Sequence, residues 1–425
     1  MPTPTYRYQF VDLRTGAHIA DLPLSGVTYD RRICQAGTFS GSMPIANAAL
    51  ASRAARVVPR TPADLTRGPG RTVVHVWRDG ALWGSYIIWS ATVSSDTRGR
   101  VTLTVQGAGI ESWLHRMAIT NDLDYQQVDQ LDIARGLAAH AENKPGAVTR
   151  WRGIGLTTGG PASSGVLRDR YYEASDYASY GERLEQLSEV IGGPEWMIRT
   201  YPNSTGQIVK EFYTAPQIGD PTRVHVFAQP GNVLTWRYLV DATDATTHHL
   251  VRRASTEDTG LGWAHRPFST PHMDAGWPIL ETVREYPTVR NSAVGAEYAA
   301  WWAAYRSGSA HTLEVTVRMP EHPTLTPPRI GEHARVILIN PWFPPTDTGA
   351  PTVDEYRRVI GMQVRAPDDG AQETATLLFE GPRDLHESAS QGMPQYPANI
   401  GEMLARISRE QRAIISGSAP TTGTT

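Results

Sequence analysis

Two stretches of this chain share one layout, and that repetition limits the folds it can take. Residues 72–114 read TVVHVWRDGALWGSYIIWSATVSSDTRGRVTLTVQGAGIESWL. This is the pattern of three strands joined by two tight turns and running into a helix. Asp79-Gly80 is a hairpin signal between the first two strands. In the second strand Ile87, Trp89, Ala91 and Val93 share one face, with Tyr86 and Ile88 on the other. In the third, Val101, Leu103 and Val105 alternate with Thr102, Thr104 and Gln106. One face is core and the other polar, as in an antiparallel sheet or barrel. Residues 357–381, RRVIGMQVRAPDDGAQETATLLFEG, repeat the arrangement: a strand, an acidic turn with glycine, a second alternating strand, then Gly.

The rest of the chain frames these units. Residues 5–115 read mostly as strand, beginning with Tyr6, Tyr8, Phe10 and Leu13. Residues 116–230 change character. Val128, Leu131, Ala134 and Ala138 are spaced as one face of a helix, with Asp129 and Asp132 in its first turn. A loop, GLTTGGPASSG, follows at 155–165. Ser179 and Glu182 have capping-box spacing ahead of a stripe of Tyr180, Leu184, Leu187 and Ile191, and Gly192, Gly193 and Pro194 end that helix. Trp196, Ile198 and Thr200 alternate as a strand paired with 207–214. Residues 231–254 read as two strands. A further helix starts near Asn291 or Ser292, with Val294, Tyr298, Trp301 and Tyr305 on one face, and 311–319 alternates as a strand. Near the end, Ile400, Leu404, Ile407, Gln411 and Ile414 fall at heptad-like spacing.

Composition excludes several classes. With 425 residues, 40% hydrophobic and 20% charged, the chain is long enough for several folded domains. A net charge of −3 favours neither nucleic acid nor an anionic membrane. No apolar run is long enough for a membrane span, and MPTPTYRYQFVDL lacks signal-peptide character. The single cysteine, Cys34, allows no intrachain disulfide or Cys-based zinc site and reads as a structural thiol. Lys144 and Lys210 are the only lysines among 40 basic residues, a bias that GC-rich codon usage explains.

A search for chemistry finds no reaction. HExxH, GxSxG, Walker, CxxC and SxxK patterns are absent. Asp241, Asp244, His248 and His249 are the nearest approach to a metal cluster. Adjacent histidines on a strand face opposite ways, so a solvated loop is the simpler reading. Gly107-Ala108-Gly109 reads as a strand-to-helix turn rather than a phosphate loop. Trp301-Trp302 reads as core rather than a carbohydrate platform. No catalytic, cofactor or metal residue is assigned. The candidate interface residues are Ile400, Leu404, Ile407 and Ile414.

Four segments, in order, carry a resemblance: LSGVTYDRRICQAGTFSGSMPI, an early strand pair with a Gly-Xaa-Phe-Ser-Gly turn; VHVWRDGALWGSYIIWSATVSSDTRGRVTLTVQGAGIESWLHRM; VDQLDIARGLAAHA with RYYEASDYASYGERLEQLSEVIGGPEWMI; and GNVLTWRYLVDATDATTHHL. Together they resemble the tail-tip or baseplate-hub proteins (minor tail proteins) of tailed bacteriophages, including those infecting Actinobacteria. The resemblance implies an α+β, mainly β fold. It would have two tube-like antiparallel β-barrel domains, inserted α/β regions and a C-terminal helix. Its boundaries would be a first tube-like domain at 1–115, an inserted α/β domain at 116–230, a β-rich segment with a helix at 231–320, a second tube-like unit at 321–385, and a linker, helix and tail at 386–425.

By the same resemblance the chain is a structural virion protein without enzymatic activity or cofactor. It would form a homotrimer that caps the tail tube, matches its six-fold symmetry to a three-fold tip and opens for DNA passage. The partners implied are a tail-tube or distal tail protein above, the tape-measure protein in the lumen, and tip, fibre or spike proteins below. DNA would be met only in transit. Localisation would be the virion tail tip, after synthesis in the host cytoplasm. The competing readings are a tail-associated cell-wall hydrolase and a receptor-binding tail protein.

Overall fold

The computed structural model describes residues 4–144, 153–190, 192–254, 261–265, 270–286, 295–300, 303, 307–319, 325–368 and 370–380. They divide into two compact units. The first holds the described residues up to Thr235 and from Val315 to Glu380; the second holds those from Trp236 to Glu314.

The first unit opens with β1 (Tyr6–Asp12), β2 (His18–Asp21), β3 (Ser25–Arg32) and β4 (Thr38–Pro44). The stretch from Gly37 to Gly41, read from sequence as a turn, is mostly strand: β4 starts at Thr38, and Phe39 is buried within it. Helix α1 (Ala48–Val57) begins at Asn47, whose side-chain oxygen accepts the Leu50 N–H. The expected meander follows as β5 (Thr72–Arg78), β6 (Ala81–Ser95) and β7 (Val101–Gly109). Asp79 and Gly80 have φ of 48° and 81°. Two positive values are what a two-residue turn needs to match strand twist. The helix expected after β7 is a 3-10 segment, Ile110–Arg116. The stripe assigned to one core face of β6 divides: Ile87 is fully buried, whereas Val93 is 54% exposed. Pairing with β5 stops at Ile87, so among the described residues the far half of β6 has β7 as its one neighbouring strand.

The inserted region contains β8 (Leu123–Asp129), α2 (Gln130–Asn143), β9 (Leu156–Gly159), β10 (Leu167–Tyr172), α3 (Tyr180–Ser188), β11 (Glu195–Pro202) and β12 (Ile208–Ala215). The helix read from Val128 begins at Gln130. Asp129 is its cap, accepting the Leu131 N–H and also bonds from Ser163, Ser164 and Gly165, which leaves Val128 in β8. The capping box of α3 is present in both directions between Ser179 and Glu182. Tyr180, Leu184 and Leu187 bury its apolar face; Ile191 lies outside the described residues. The segment read as loop at 155–165 contributes β9, which adds in parallel to β12. β11 and β12 pair antiparallel from Glu195↔Ala215 to Pro202↔Ile208, with Trp196 and Phe212 stacked at 5.7 Å.

The chain continues through β13 (Val224–Gln229) and β14 (Val233–Thr246). The second unit has β15 (His248–Ala254) between antiparallel β16 (Leu261–His265) and parallel β17 (Glu281–Tyr286), with a short helix, α4 (Thr270–Asp274). The solvated-loop reading of His248 and His249 is corrected here. Both are buried on β15, and His248 Nδ1 lies 2.7 Å from Glu281. Residues 295–300 are helical; Val294, Trp301, Trp302 and Tyr305 lie outside the described residues. The chain returns along β18 (Gly308–Arg318), then β19 (His333–Leu338), β20 (Val353–Arg365) and β21 (Thr374–Phe379).

The largest sheet has thirteen strands in the order β14-β18-β21-β20-β3-β4-β7-β6-β5-β1-β2, with β19 also on β20 and β13 on β19. It makes the fold α+β and mainly β. Among the described residues the strands form an open sheet and no barrel closes.

The repetition read from the sequence is visible in this sheet. In β5-β6-β7, the first half of the long middle strand pairs with β5 and the second half with β7, with a bulge between Ile88 and Ser90. In β19-β20-β21, the first half of β20 pairs with β19 and the second with β21, with a bulge between Val359 and Gly361. A bulge bends the strand and lets it change neighbours. The two repeats join in one sheet, because β20 pairs antiparallel with β3 from Gly361↔Arg32 to Arg365↔Thr28.

Candidate functional site

A densely bonded place in the first unit is the seam between β11 and the large sheet. Along β11, residue after residue is tied across. Glu195 forms a two-point ion pair with Arg358 of β20, with both bonds at 2.5 Å, and Oε2 also accepts the Ile218 N–H at 2.7 Å. The Arg358 guanidinium donates further to the carbonyls of Ile218 and Gly331. Trp196 is bonded twice to Cys34: its N–H donates to the side-chain sulfur at 3.4 Å and its carbonyl accepts the Cys34 N–H at 2.8 Å. Ile198 receives Arg31 at its carbonyl and donates its N–H to Glu111. Thr200 accepts from Ser85, which is also bonded to His75.

Both members of the Glu195–Arg358 pair are buried, as are Asp30 and Arg32, which pair at 2.5 Å on β3. A buried ion pair is tolerated only when its remaining hydrogen-bonding capacity is satisfied, and these are. The seam therefore fixes the inserted region rigidly on the sheet. Lys210 adds a clamp: its ammonium, pushed down in pKa by burial, donates to the carbonyls of Leu13 and Ile154.

This geometry holds strands together. Burial pushes the Cys34 thiol up to about 12, far from a nucleophilic thiolate. Among the described residues no group of three or more His, Cys, Asp or Glu could hold a metal ion, and no helix is long and apolar enough to cross a membrane. His75 gives the seam a pH dependence. Burial, then Lys210, pushes its pKa down from 6.5 to about 4. The unfolded chain takes up this proton first, so stability falls as pH drops from about 6.5 to 4, by about 3 kcal/mol in total. His75→Gln is expected to flatten that limb. Denaturant unfolding of both proteins at pH 7 and 4.5 measures it.

The outer strands of the large sheet differ in how their edges are protected. β2 has four residues and is guarded by charge, with Arg7 and His18 both on Asp21. Short charged edges resist pairing. β14 is the opposite. It has 14 residues and stands at the end of the strand path, with Leu234 and Val240 exposed. β13, which among the described residues pairs with β19 alone, exposes Val224 and Val226. Of the sequence-derived interface, Ile400, Leu404, Ile407 and Ile414 all lie outside the described residues. The seam was missed from sequence. Its one signal was Arg357-Arg358 heading the apolar run of a buried strand, where a charge requires a carboxylate partner.

No family model matches the chain, and no curated protein matches it. Solved structures do. The tail protein from Neisseria meningitidis MC58 superposes with a TM-score of 0.53 at 14% identity, covering 88% of this chain and 96% of that one. The 43 kDa tail protein of prophage MuSo2 from Shewanella oneidensis superposes with a TM-score of 0.55 at 13% identity, covering 88% and 98%. The prophage tail protein gp18 from Listeria monocytogenes EGD-e gives 0.48 at 10% identity, covering 95% and 99%. The fold is that of phage tail proteins.

Proposed function

We propose that the chain is a structural protein of the tail tip, acting as the hub that caps the tail tube. The observation that carries this is the duplicated meander. One chain presents two similar strand units in a single sheet, joined edge to edge by β3 and β20. Three such chains offer six units, which matches a six-fold tube above while the remaining segments follow three-fold symmetry below. The long edge of β14, unpaired among the described residues, then becomes a pairing edge between neighbours instead of an aggregation hazard. The tape-measure protein would end in the lumen, and DNA would cross it without a tight grip.

The segment 399–425, with Ile400, Leu404, Ile407 and Ile414, contacts a neighbouring copy or a lower tip protein in this reading. The protein is not an enzyme in it: the buried charges are consumed in holding strands. Antibody labelling of isolated tails tests the placement. Label at one end of the tail is expected. Label spread along the tube, or a clear band in a cell-wall zymogram of the purified protein, would contradict the proposal.

A further inference from the structure

One exposed apolar surface in the first unit belongs neither to the seam nor to the edges of the large sheet. β8 and β10 form a separate two-stranded ribbon. Alternation along β10 turns Arg168, Arg170 and Tyr172 inward and Leu167, Asp169 and Tyr171 outward. Leu167 is 57% exposed and Tyr171 58%. Tyr171 is held upright by Asp122, which also accepts the Ala174 N–H. Tyr177 follows, 71% exposed, with φ of 47°, a strained conformation for a bulky side chain. Around these side chains the surface is acidic: Asp124, Asp169 and Glu173 are all exposed.

A complementary surface lies elsewhere in the same unit. Between β4 and β5 the chain leaves the sheet as α1 and a proline-bearing loop. From 45 to 71 it carries five arginines and one acidic residue. Arg53 and Arg56 stand three apart on α1, so they share a face. Both are exposed, and neither has a hydrogen bond or ion pair among the described residues. The loop is preorganised: Arg60 donates to the Ala51 carbonyl, and Arg67 to the Ala55 carbonyl and Asp64. At its tip Leu65 is 81% exposed.

We infer that the basic α1 excursion of one copy docks on the acidic, tyrosine-bearing ribbon of a second copy. The two surfaces have opposite charge; the ribbon exposes Leu167, Tyr171 and Tyr177 and the excursion exposes Leu65, side chains that can anchor an interface. Among the described residues no ion pair joins them within one chain. A contact between two different patches is heterologous, and three such contacts close a three-membered ring. This rests on the three-copy reading and names the surface that sets its register.

Charge reversal tests it. Arg53→Glu with Arg56→Glu is one variant, Asp124→Arg with Glu173→Arg the second, and all four changes together the third. All four side chains are exposed, and circular dichroism confirms folding. Sedimentation across a concentration series is run at low and at 0.5 M salt, an ionic strength chosen to screen surface charge to a few ångströms, within the roughly 3–10 Å range. Each reversed pair is expected to raise the concentration for half-assembly by about tenfold or more, and the fourfold variant to restore it. Wild-type assembly should weaken with salt. If neither pair shifts assembly, or the fourfold variant fails to restore it, this contact is wrong while the three-copy reading stands. A wild-type chain that stays monomeric throughout overturns both.

Discussion

Replacing Arg358 by Met lowers the unfolding free energy of the first unit by about 3–5 kcal/mol, the loss typical when one partner of a buried ion pair is removed. Four acceptors depend on this guanidinium: both oxygens of Glu195 and the carbonyls of Ile218 and Gly331. Methionine fills much of the volume but leaves the Glu195 carboxylate without its counter-charge in a dry environment. Glu195→Gln together with Arg358→Met should be less damaging than Arg358→Met alone, since no bare charge remains. Denaturant unfolding of the three proteins gives the coupling as a double-mutant cycle. If Arg358→Met shifts the midpoint no more than a surface Arg→Met does, the seam does not hold the inserted region as described.

Gly331→Ala is expected to cost about 3 kcal/mol or more, although it adds one carbon. Gly331 has φ of 101°, and a Cβ there would lie 2.2 Å from the Ile218 carbonyl oxygen. Facing it, Gly219 has φ of 102°, and its Cβ would lie 2.2 Å from the Gly331 carbonyl carbon. Two backbone segments thus cross in contact directly beside the Glu195–Arg358 pair. Only glycine allows both the left-handed conformation and the approach. Backbone strain and overpacking each contribute about 1–3 kcal/mol. Gly349→Ala is the control: its φ is 79°, but nothing lies within 4 Å of the added carbon. Thermal unfolding of both variants separates the two effects. Equal losses would show that the crossing is looser than the structure has it.

Much of this architecture was readable because it is local. Strand alternation in β7, the Asp79-Gly80 turn and the Ser179–Glu182 capping box each lie within a few residues, and each was found in place. The duplicated meander was readable for the same reason, since each copy is continuous in sequence. What failed was non-local. Nothing near Val93 announces that β5 stops pairing at Ile87. Nothing in GLTTGG announces that Leu156–Gly159 adds to a strand more than fifty residues on. The histidines at 248 and 249 looked solvated because their neighbours before β15 are polar, whereas both pair with β17, a strand more than thirty residues on. The seam unites positions 31, 34, 111, 195 and 358, and no spacing rule connects these. The pairing of β20 with β3, which places the two repeats in one sheet, is likewise a contact between the ends of the chain.

The central proposal is that one chain carries two similar strand units so that three copies can meet a six-fold tube. The mass of the purified native particle, with a low-resolution image of it, tests this most directly. The account predicts a particle of three chains forming a ring with a central opening and six similar lobes around it. A ring of six chains, or a particle that stays a compact monomer, would contradict it.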